Sequence, residues 1–332
     1  MGWRGRNGAP GRGNGKIMEN AGLITFEYVN TVIKERPREI HKGQCGRVLI
    51  LAGSVGMAGA AVLSARGALK SGAGLVKVAL PPELFTIVQT AVPQATCVRA
   101  ADMSVSEEFS PRSLDIYGAI AAGPGMGVDE KSYLLIRRIL NDYDGPVVLD
   151  ADGLNSFCRF DEGLTTIKER KSPTVLTPHP GEADRLLAAL GERDVKTLGR
   201  VYAAEILAKR LSSIVLLKGS GTLVTFEGRG TYINTTGNPG MATGGSGDVL
   251  TGVIAAIAAS GVDAFDAAKT GAFIHGMAGD IAEKRQGQWG MTSVDIEEAL
   301  PAAFKKIVGR MMPRGGVRAA RDMQTRQVER AA

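Results

Sequence analysis

The chain has 332 residues, 44% of them hydrophobic, enough for one large core or two small ones. Its 44 glycines are clustered without period, which excludes a collagen-like chain and points to functional loops. The net charge of +6 gathers in Met1–Lys16, with three Arg, one Lys and no acid, and in Arg310–Arg330. A balanced middle between basic ends reads as solvated tails on a neutral body, not as a nucleic-acid-binding surface.

Cys45, Cys97 and Cys158 are isolated, without CxxC spacing, so neither a disulfide framework nor a zinc site is indicated and a reducing cytoplasm fits. The opening residues lack the apolar core of a signal peptide. The longest apolar run, near Val249–Ala259, falls short of the roughly 20 residues that span a bilayer, so no membrane role is expected.

From Gly46 onward, apolar runs alternate with helical patterns. VLILAG (48–53), LVKVAL (75–80), IYGAIAAG (116–123), PVVLDADG (146–153), TVLTPHPG (174–181) and IVLLKGSG (214–221) read as strands. Their continuous hydrophobicity predicts burial on both faces. Helices are predicted at Ala58–Lys70, Glu130–Asn141, Gly181–Leu190 and Thr197–Leu211. Thr222–Phe226 and Thr231–Asn234, joined by EGRG, read as a hairpin, and helices follow at Gly247–Ser260, Asp263–Lys284 and Ser293–Val308. The order predicts an α/β fold, a mostly parallel central sheet flanked by helices. No repeat or long linker divides it. A single domain over 41–309 is expected, with a basic lead-in and helix over 1–40 and a basic tail over 310–332.

Most strands end in glycine or polar clusters: AGSVGMAGAA, GPGMG, DADGLN, TPHPGE and KGSGT. Ligands of open α/β sheets sit beyond those carboxyl ends, so the clusters are expected to converge. The densest glycine stretch, NPGMATGGSGDVLTG (238–252), runs into an apolar helix. A helix start offers unpaired N–H groups and the positive end of the helix dipole, and glycines let an anion approach. Gly245, Ser246 and Gly247 therefore read as an anion hole. Asp248, in the first turn, is either a helix cap or a base that takes a proton from a hydroxyl attacking phosphate. A cap would compete with the anion for the same donors, which favours the base. Neither a GxxxxGK[ST] loop nor a strand-linked GxGxxG is present, so P-loop and dinucleotide Rossmann binding are unsupported.

GGSGD before an apolar helix resembles the GxGD anion-hole motif of the ribokinase-like superfamily. LAGSVGMAGAAVLSARGALKSGAGLVKVALP, GPGMG, VLDADGLN, LTPHPGEADRLL, VLLKGSGT and NTTGNPGMATGGSGDVLTG together resemble the ADP-dependent NAD(P)H-hydrate dehydratase family, over about residues 41–305. The resemblance implies a ribokinase-like fold and a cofactor-repair lyase. Such an enzyme uses ADP to phosphorylate the hydroxyl of the S epimer of NADH or NADPH hydrate, and elimination then yields NAD(P)H, AMP and phosphate.

By the same resemblance Asp248 is the base, and Ala61 (with Ala60 adjacent), Gly125, His179 and Asp248 meet the hydrate. Lys218, Gly219, Ser220, Gly221, Thr222 and Gly247 meet the nucleotide. The alanines and Gly125 equally suit close helix–strand packing, and Lys218 equally suits a strand-end charge. His179, between two prolines, reads as a hydrogen-bond donor to substrate. Asp150 and Glu182, with Asp152 and Asn155 nearby, are candidates for Mg²⁺, directly or through water; for Asp152 and Glu182 the competing reading is helix capping. His275 reads as core or interface, and His41 as a weak candidate near the dinucleotide.

The family also implies a homotetramer. With about 40 residues ahead of the first strand, the epimerase domain that many relatives fuse there is expected on a separate chain. Two other readings stand beside this one. One is a small-molecule kinase of the hydroxyethylthiazole or hydroxymethylpyrimidine type; the other is a non-enzymatic nucleotide- or nucleic-acid-binding protein.

Overall fold

The doubly apolar runs form the middle of one ten-stranded sheet. The computed structural model describes residues 21–100, 111–160 and 162–309. Residues 1–20 of the expected lead-in and all of the expected tail 310–332 lie outside the described residues.

The strands are β1 (Gly22–Ile24), β2 (Arg47–Leu51), β3 (Leu75–Leu80), β4 (Thr96–Arg99), β5 (Ala119–Ala122), β6 (Val147–Leu149), β7 (Thr174–Leu176), β8 (Ile214–Leu217), β9 (Leu223–Phe226) and β10 (Gly230–Asn234). Their spatial order is β1-β10-β9-β8-β7-β6-β5-β2-β3-β4. From β8 to β4 all neighbours are parallel, while β9 pairs antiparallel with both β8 and β10. The hairpin forms as predicted, with Thr231 opposite Thr225 and their hydroxyls 2.9 Å apart.

Side chains alternate between two cores, as the two-residue strand period requires. Val48 and Ile50 join one core; Leu49 and Leu51 join the other, and all four are fully buried. The first core lies under α2 (Ala58–Lys70), α11 (Ser246–Ala259), α12 (Ala264–Gly290) and α13 (Ser293–Gly309). The second lies under α5 (Glu130–Asp142), α6 (Asp152–Arg159), α8 (Pro180–Ala189) and α10 (Arg200–Arg210). Among the described residues there are also five shorter α-helices: α1 (Phe26–Val32), α3 (Phe85–Ala91), α4 (Pro111–Leu114), α7 (Gly163–Glu169) and α9 (Val195–Leu198). Burying each such aliphatic side chain stabilises by about 1.5–3 kcal/mol, so truncating Leu51 to Ala is expected to cost about 2–5 kcal/mol.

α2 and α11 pack backbone to backbone. A Cβ on Gly252 would sit 2.1 Å from the Ser64 carbonyl oxygen, and one on Gly67 would sit 2.6 Å from that of Val249. The helix carrying Asp248 thus has its position fixed by main chain. β2 lies between β3 and β5. The chain leaves β2 in one direction and returns on its other side, which opens the ligand crevice of such sheets at the carboxyl ends of β2 and β5.

At the opposite, amino ends of the strands, one guanidinium closes the sheet. Arg170 donates to the carbonyl oxygens of Tyr143 (2.6 Å), Ser172 (2.6 Å), Gly145 (2.7 Å), Pro173 (2.9 Å) and Leu140 (3.0 Å). Burial pulls its pKa down to about 10. The hydroxyl of Tyr143 donates to the carbonyl of Tyr117 at 2.7 Å.

Several features depart from the sequence expectation, the short helices α3, α4 and α7 among them. The helix expected over Thr197–Leu211 is broken at Gly199, whose φ of +83° ends α9 and starts α10. β1 and β4 were not expected: one is three residues long, and the other, TCVR, is a half-exposed edge without an apolar run. α12 runs on to Gly290 across a kink at Gly287, whose φ is +69°.

Candidate active site

The glycine and polar loops do converge. At the sheet's switch point the amide of Gly53, after β2, donates to the carbonyl of Pro124, after β5, at 2.8 Å. The amide of Gly127 donates to Oδ2 of Asp152 at 2.9 Å, tying GPGMG to LDADGLN. The amide of Lys218 donates to the Pro178 carbonyl at 2.8 Å, tying KGSGT to TPHPGE. Between Asp150 and Asp152 the chain turns through Ala151, whose φ is +49°. That conformation costs a β-carbon-bearing residue about 1–3 kcal/mol and is held by its surroundings. A Cβ on Gly123 would lie 1.9 Å from the Asp150 carbonyl oxygen, so glycine is required where the two loops touch.

Asp150 is the buried centre of the site. Its Oδ1 meets the Lys218 ammonium at 2.6 Å, and its Oδ2 accepts from the Thr251 hydroxyl, on α11, at 2.8 Å. Glu182 Oε2 lies 3.6 Å from the same ammonium. Burial alone would pull the Lys218 pKa down, but Asp150, Glu182 and Asp248 outweigh it and hold the ammonium charged, above its ordinary value.

Gly245 occupies the N-cap of α11 with φ +84°, so no side chain caps that helix start. Asp248, in the first turn, is partly enclosed. Burial, and next the negative charge of Asp150, push its pKa up to about 7 against the opposing pull of Lys218, with Asp152 and Glu182 adding to the rise. A carboxylate poised there is suited to accept a proton near neutrality. A Cβ on Gly247 would lie 3.3 Å from the Lys218 Nζ, which brings the ammonium to the mouth of the anion hole.

His179 is the N-cap of α8. Its Nδ1 accepts from the amides of Gly181 (3.0 Å) and Glu182 (3.3 Å), and Glu182 Oε2 accepts from the His179 amide at 2.8 Å. This reciprocal capping box places the proton of the neutral ring on Nε2, a donor, 3.3 Å from Glu182 Oε1. His179 therefore serves the fold as well as the pocket.

A cavity of about 670 Å³ gathers Lys218–Thr222, Ser246, Gly247 and His179. The Thr222 hydroxyl donates within its own loop, to the Gly219 carbonyl at 2.9 Å. Gly125, with φ +61°, is placed against Ala60 and Met57, where a Cβ would come within 2.9 Å of the Ala60 Cβ. Ala61 is fully buried and packs towards Gly53, so its contribution is close helix–strand packing, while Ala60 is the half-exposed neighbour. Asn155 accepts from Arg185 at 2.8 Å, and exposed His41 accepts from the Gly43 amide at 3.2 Å.

Several contributors were not expected. Thr251 is one turn beyond Asp248, on the helix's buried face, where a hydroxyl in an apolar stretch is a faint signal. Asp280 Oδ2 accepts from the Gly237 amide, and its Oδ1 from Asn238 Nδ2, each at 3.1 Å, fixing the loop before the anion hole. His275, on the same helix, is buried and also lines the cavity. Burial is the main cause that takes its pKa down to about 4, so its ring is neutral.

The residues do not fit a metal cage. Both Asp150 oxygens are engaged, Glu182 caps α8, and among the described residues no three His, Cys, Asp or Glu side chains converge to hold an ion. Asp150 and Glu182, the candidates for Mg²⁺ directly or through water, both face the Lys218 ammonium.

A family model described as NAD(P)H-hydrate dehydratase matches residues 48–302. The chain belongs to the NAD(P)H-hydrate dehydratase family. It is 37% identical over 297 residues to the bifunctional NAD(P)H-hydrate repair enzyme Nnr of Thermofilum pendens, covering 88% of this chain and 56% of that protein. The chain thus spans about half the length of the first curated relatives it matches. It is 31% identical to the ADP-dependent (S)-NAD(P)H-hydrate dehydratase of Bacillus subtilis, covering 87% of this chain and 99% of that one.

Among solved structures, the ADP/ATP-dependent NAD(P)H-hydrate dehydratase from Bacillus subtilis, co-crystallized with ATP/Mg²⁺, superposes with TM-score 0.75 at 30% identity. It covers 87% of this chain and 99% of its own. Ribokinase from Thermotoga maritima, at 13% identity and TM-score 0.52, shares the fold, so the ribokinase-like architecture expected for this family member is present.

Proposed function

We propose that this chain dehydrates the S epimer of NADH hydrate and NADPH hydrate, with ADP as phosphoryl donor. The observation that carries the reading is Asp248: a carboxylate with pKa about 7 in the first turn of a glycine-capped helix, beside a buried ammonium. Asp248 takes the proton of the hydrate's hydroxyl as that oxygen attacks the terminal phosphorus of ADP and AMP leaves. The amides of Gly245–Asp248 and the Lys218 charge stabilise the transferring phosphoryl. The ring nitrogen's lone pair then expels phosphate, and loss of a ring proton restores the double bond. Hydroxide is a poor leaving group and phosphate a good one, which is why the nucleotide is consumed.

The Lys218–Thr222 loop and Gly247 receive the nucleotide, and the Gly125 side, with Ala60 at its surface and Ala61 packed behind, receives the nicotinamide dinucleotide. Mg²⁺ is carried by the nucleotide's phosphates and waters, with Asp150 and Glu182 placed to meet it through water; among the described residues no cluster of three His, Cys, Asp or Glu forms a cage. The R epimer requires an epimerising activity from outside residues 41–309. A cytoplasmic homotetramer completes the reading; no described helix is long and apolar enough to cross a membrane.

Incubating NADH hydrate with ADP, and in parallel with ATP, tests it. Return of nicotinamide absorbance with wild type but not with Asp248→Asn is expected. Formation of a stable phosphorylated hydroxyethylthiazole or hydroxymethylpyrimidine without that absorbance would overturn it.

A further inference from the structure

We propose that Arg200 is the positioning residue that sets the shape of the nucleotide-binding loop Lys218–Thr222, acting through backbone carbonyls behind the cavity. The inference rests on the reading of that cavity as the nucleotide site.

Arg200 opens α10, immediately after Gly199, and its guanidinium lies behind the loop. Nη1 donates to the Ser220 carbonyl, and Nη2 is shared between the carbonyls of Leu217 and Lys218, each at 3.4 Å. Three of four successive carbonyls from the end of β8 thus face one cation. The remaining one, of Gly219, accepts from the Thr222 hydroxyl. With these carbonyls turned to the protein side, the amides of Gly219–Thr222 are left for an anionic ligand, the logic of a phosphate nest, while that of Lys218 is held by the Pro178 carbonyl.

Gly219 shows how closely the parts fit. Its φ is +137°, and a Cβ there would lie 3.0 Å from Nη2, so the guanidinium occupies the space a side chain would need. The fixed planar fork matters: a lysine ammonium is a point charge on a flexible stem and cannot hold these carbonyls in one geometry. Burial lowers the Arg200 pKa, yet guanidinium stays charged at any working pH, so the clamp is independent of pH.

Charge-assisted hydrogen bonds of this kind contribute about 1.5–3 kcal/mol, equivalent to about ten- to a hundredfold in affinity. ADP binding is measured by calorimetry, without turnover, on wild type, Arg200→Lys and Arg200→Gln, alongside steady-state kinetics and thermal melting. The Kd and KM for ADP are expected to rise at least about tenfold in both variants, with the KM for the hydrate unchanged. Restoring the charge as lysine is expected not to restore affinity.

Unaltered ADP affinity in Arg200→Gln would overturn the proposal. So would a parallel loss of hydrate KM, ADP affinity and melting temperature, which a general loosening of the fold produces. Wild type that binds ADP but returns no nicotinamide absorbance would refute the dehydratase reading while leaving the role of Arg200 testable by binding alone.

Discussion

Arg170 and Lys218 are both enclosed cations attached to neighbouring strands, one at the amino ends and one at the carboxyl ends of the same sheet. Arg170 is held by carbonyl oxygens, five of them within 3.0 Å, dipoles that cannot titrate, and feels the charge of Asp144 as well. Lys218 faces Asp150 and Glu182, with Asp248 nearby, so one cation is shared among three carboxylates. Burial first, and then the surplus of negative charge that this leaves, keep the proton on Asp248 up to about pH 7. One end of the sheet turns a buried charge into a fixed joint, the other into a group ready to accept a proton.

Variants at the two ends should therefore separate. The largest effect is expected at Asp248→Asn: kcat falls by about 10²–10⁴, the usual contribution of a general base. Melting temperature should rise at the same time. Because the folded carboxyl titrates near 7, above its unfolded value, its contribution to stability is intact below the unfolded pKa and is lost as pH rises to 7. The gain in the Asn variant should thus be greatest above pH 7 and vanish near pH 4. A lowered melting temperature at pH 8 would mean that Asp248 is a structural group like Arg170.

Arg170→Met should do the reverse. Stranding its carbonyl partners is expected to cost about 2 kcal/mol or more, seen as a lower melting temperature, with turnover per folded molecule unchanged. A selective loss of kcat would erase the distinction between the two ends.

A third test uses pH. The ratio kcat/KM should climb through about pH 7 and level off above it, as Asp248 loses its proton. Removing one repelling charge with Asp152→Asn should move that limb lower by about half a unit. A limb that stays in place assigns the titration to another group. The smallest effect is expected for Tyr143→Phe, which loses one buried hydrogen bond to the Tyr117 carbonyl: about 1 kcal/mol of stability by denaturant titration, with no change in pH profile.

Sequence patterns foretold these two ends unequally. The central strands are legible because VLIL and IVLL are apolar at every position, which only a strand buried on both faces tolerates. The loops of the carboxyl ends are legible because glycines and a lone carboxylate before an apolar helix have few other uses. What could not be read is long-range pairing. Nothing near Asp150 announces that Lys218, 68 residues later, would take its first oxygen and Thr251, 101 residues later, its second. That pairing, and not an open ligand set, is what the structure shows at Asp150. Likewise Arg170 and Arg200 look like ordinary surface arginines until the fold brings carbonyls around them. His179 carried a double signal, since a histidine before Pro-Gly-Glu both caps a helix and faces the cavity.

The contact between α2 and α11 carries one more consequence. Gly67 and Gly252 let the two main chains touch, so the placement of Asp248 is gauged by peptide groups and not by side chains of adjustable size. Elsewhere in the core, contacts are made by side chains whose size a substitution can change by degrees. The two glycine positions have no such freedom, because a single methyl at either would move the helix and the proton acceptor with it.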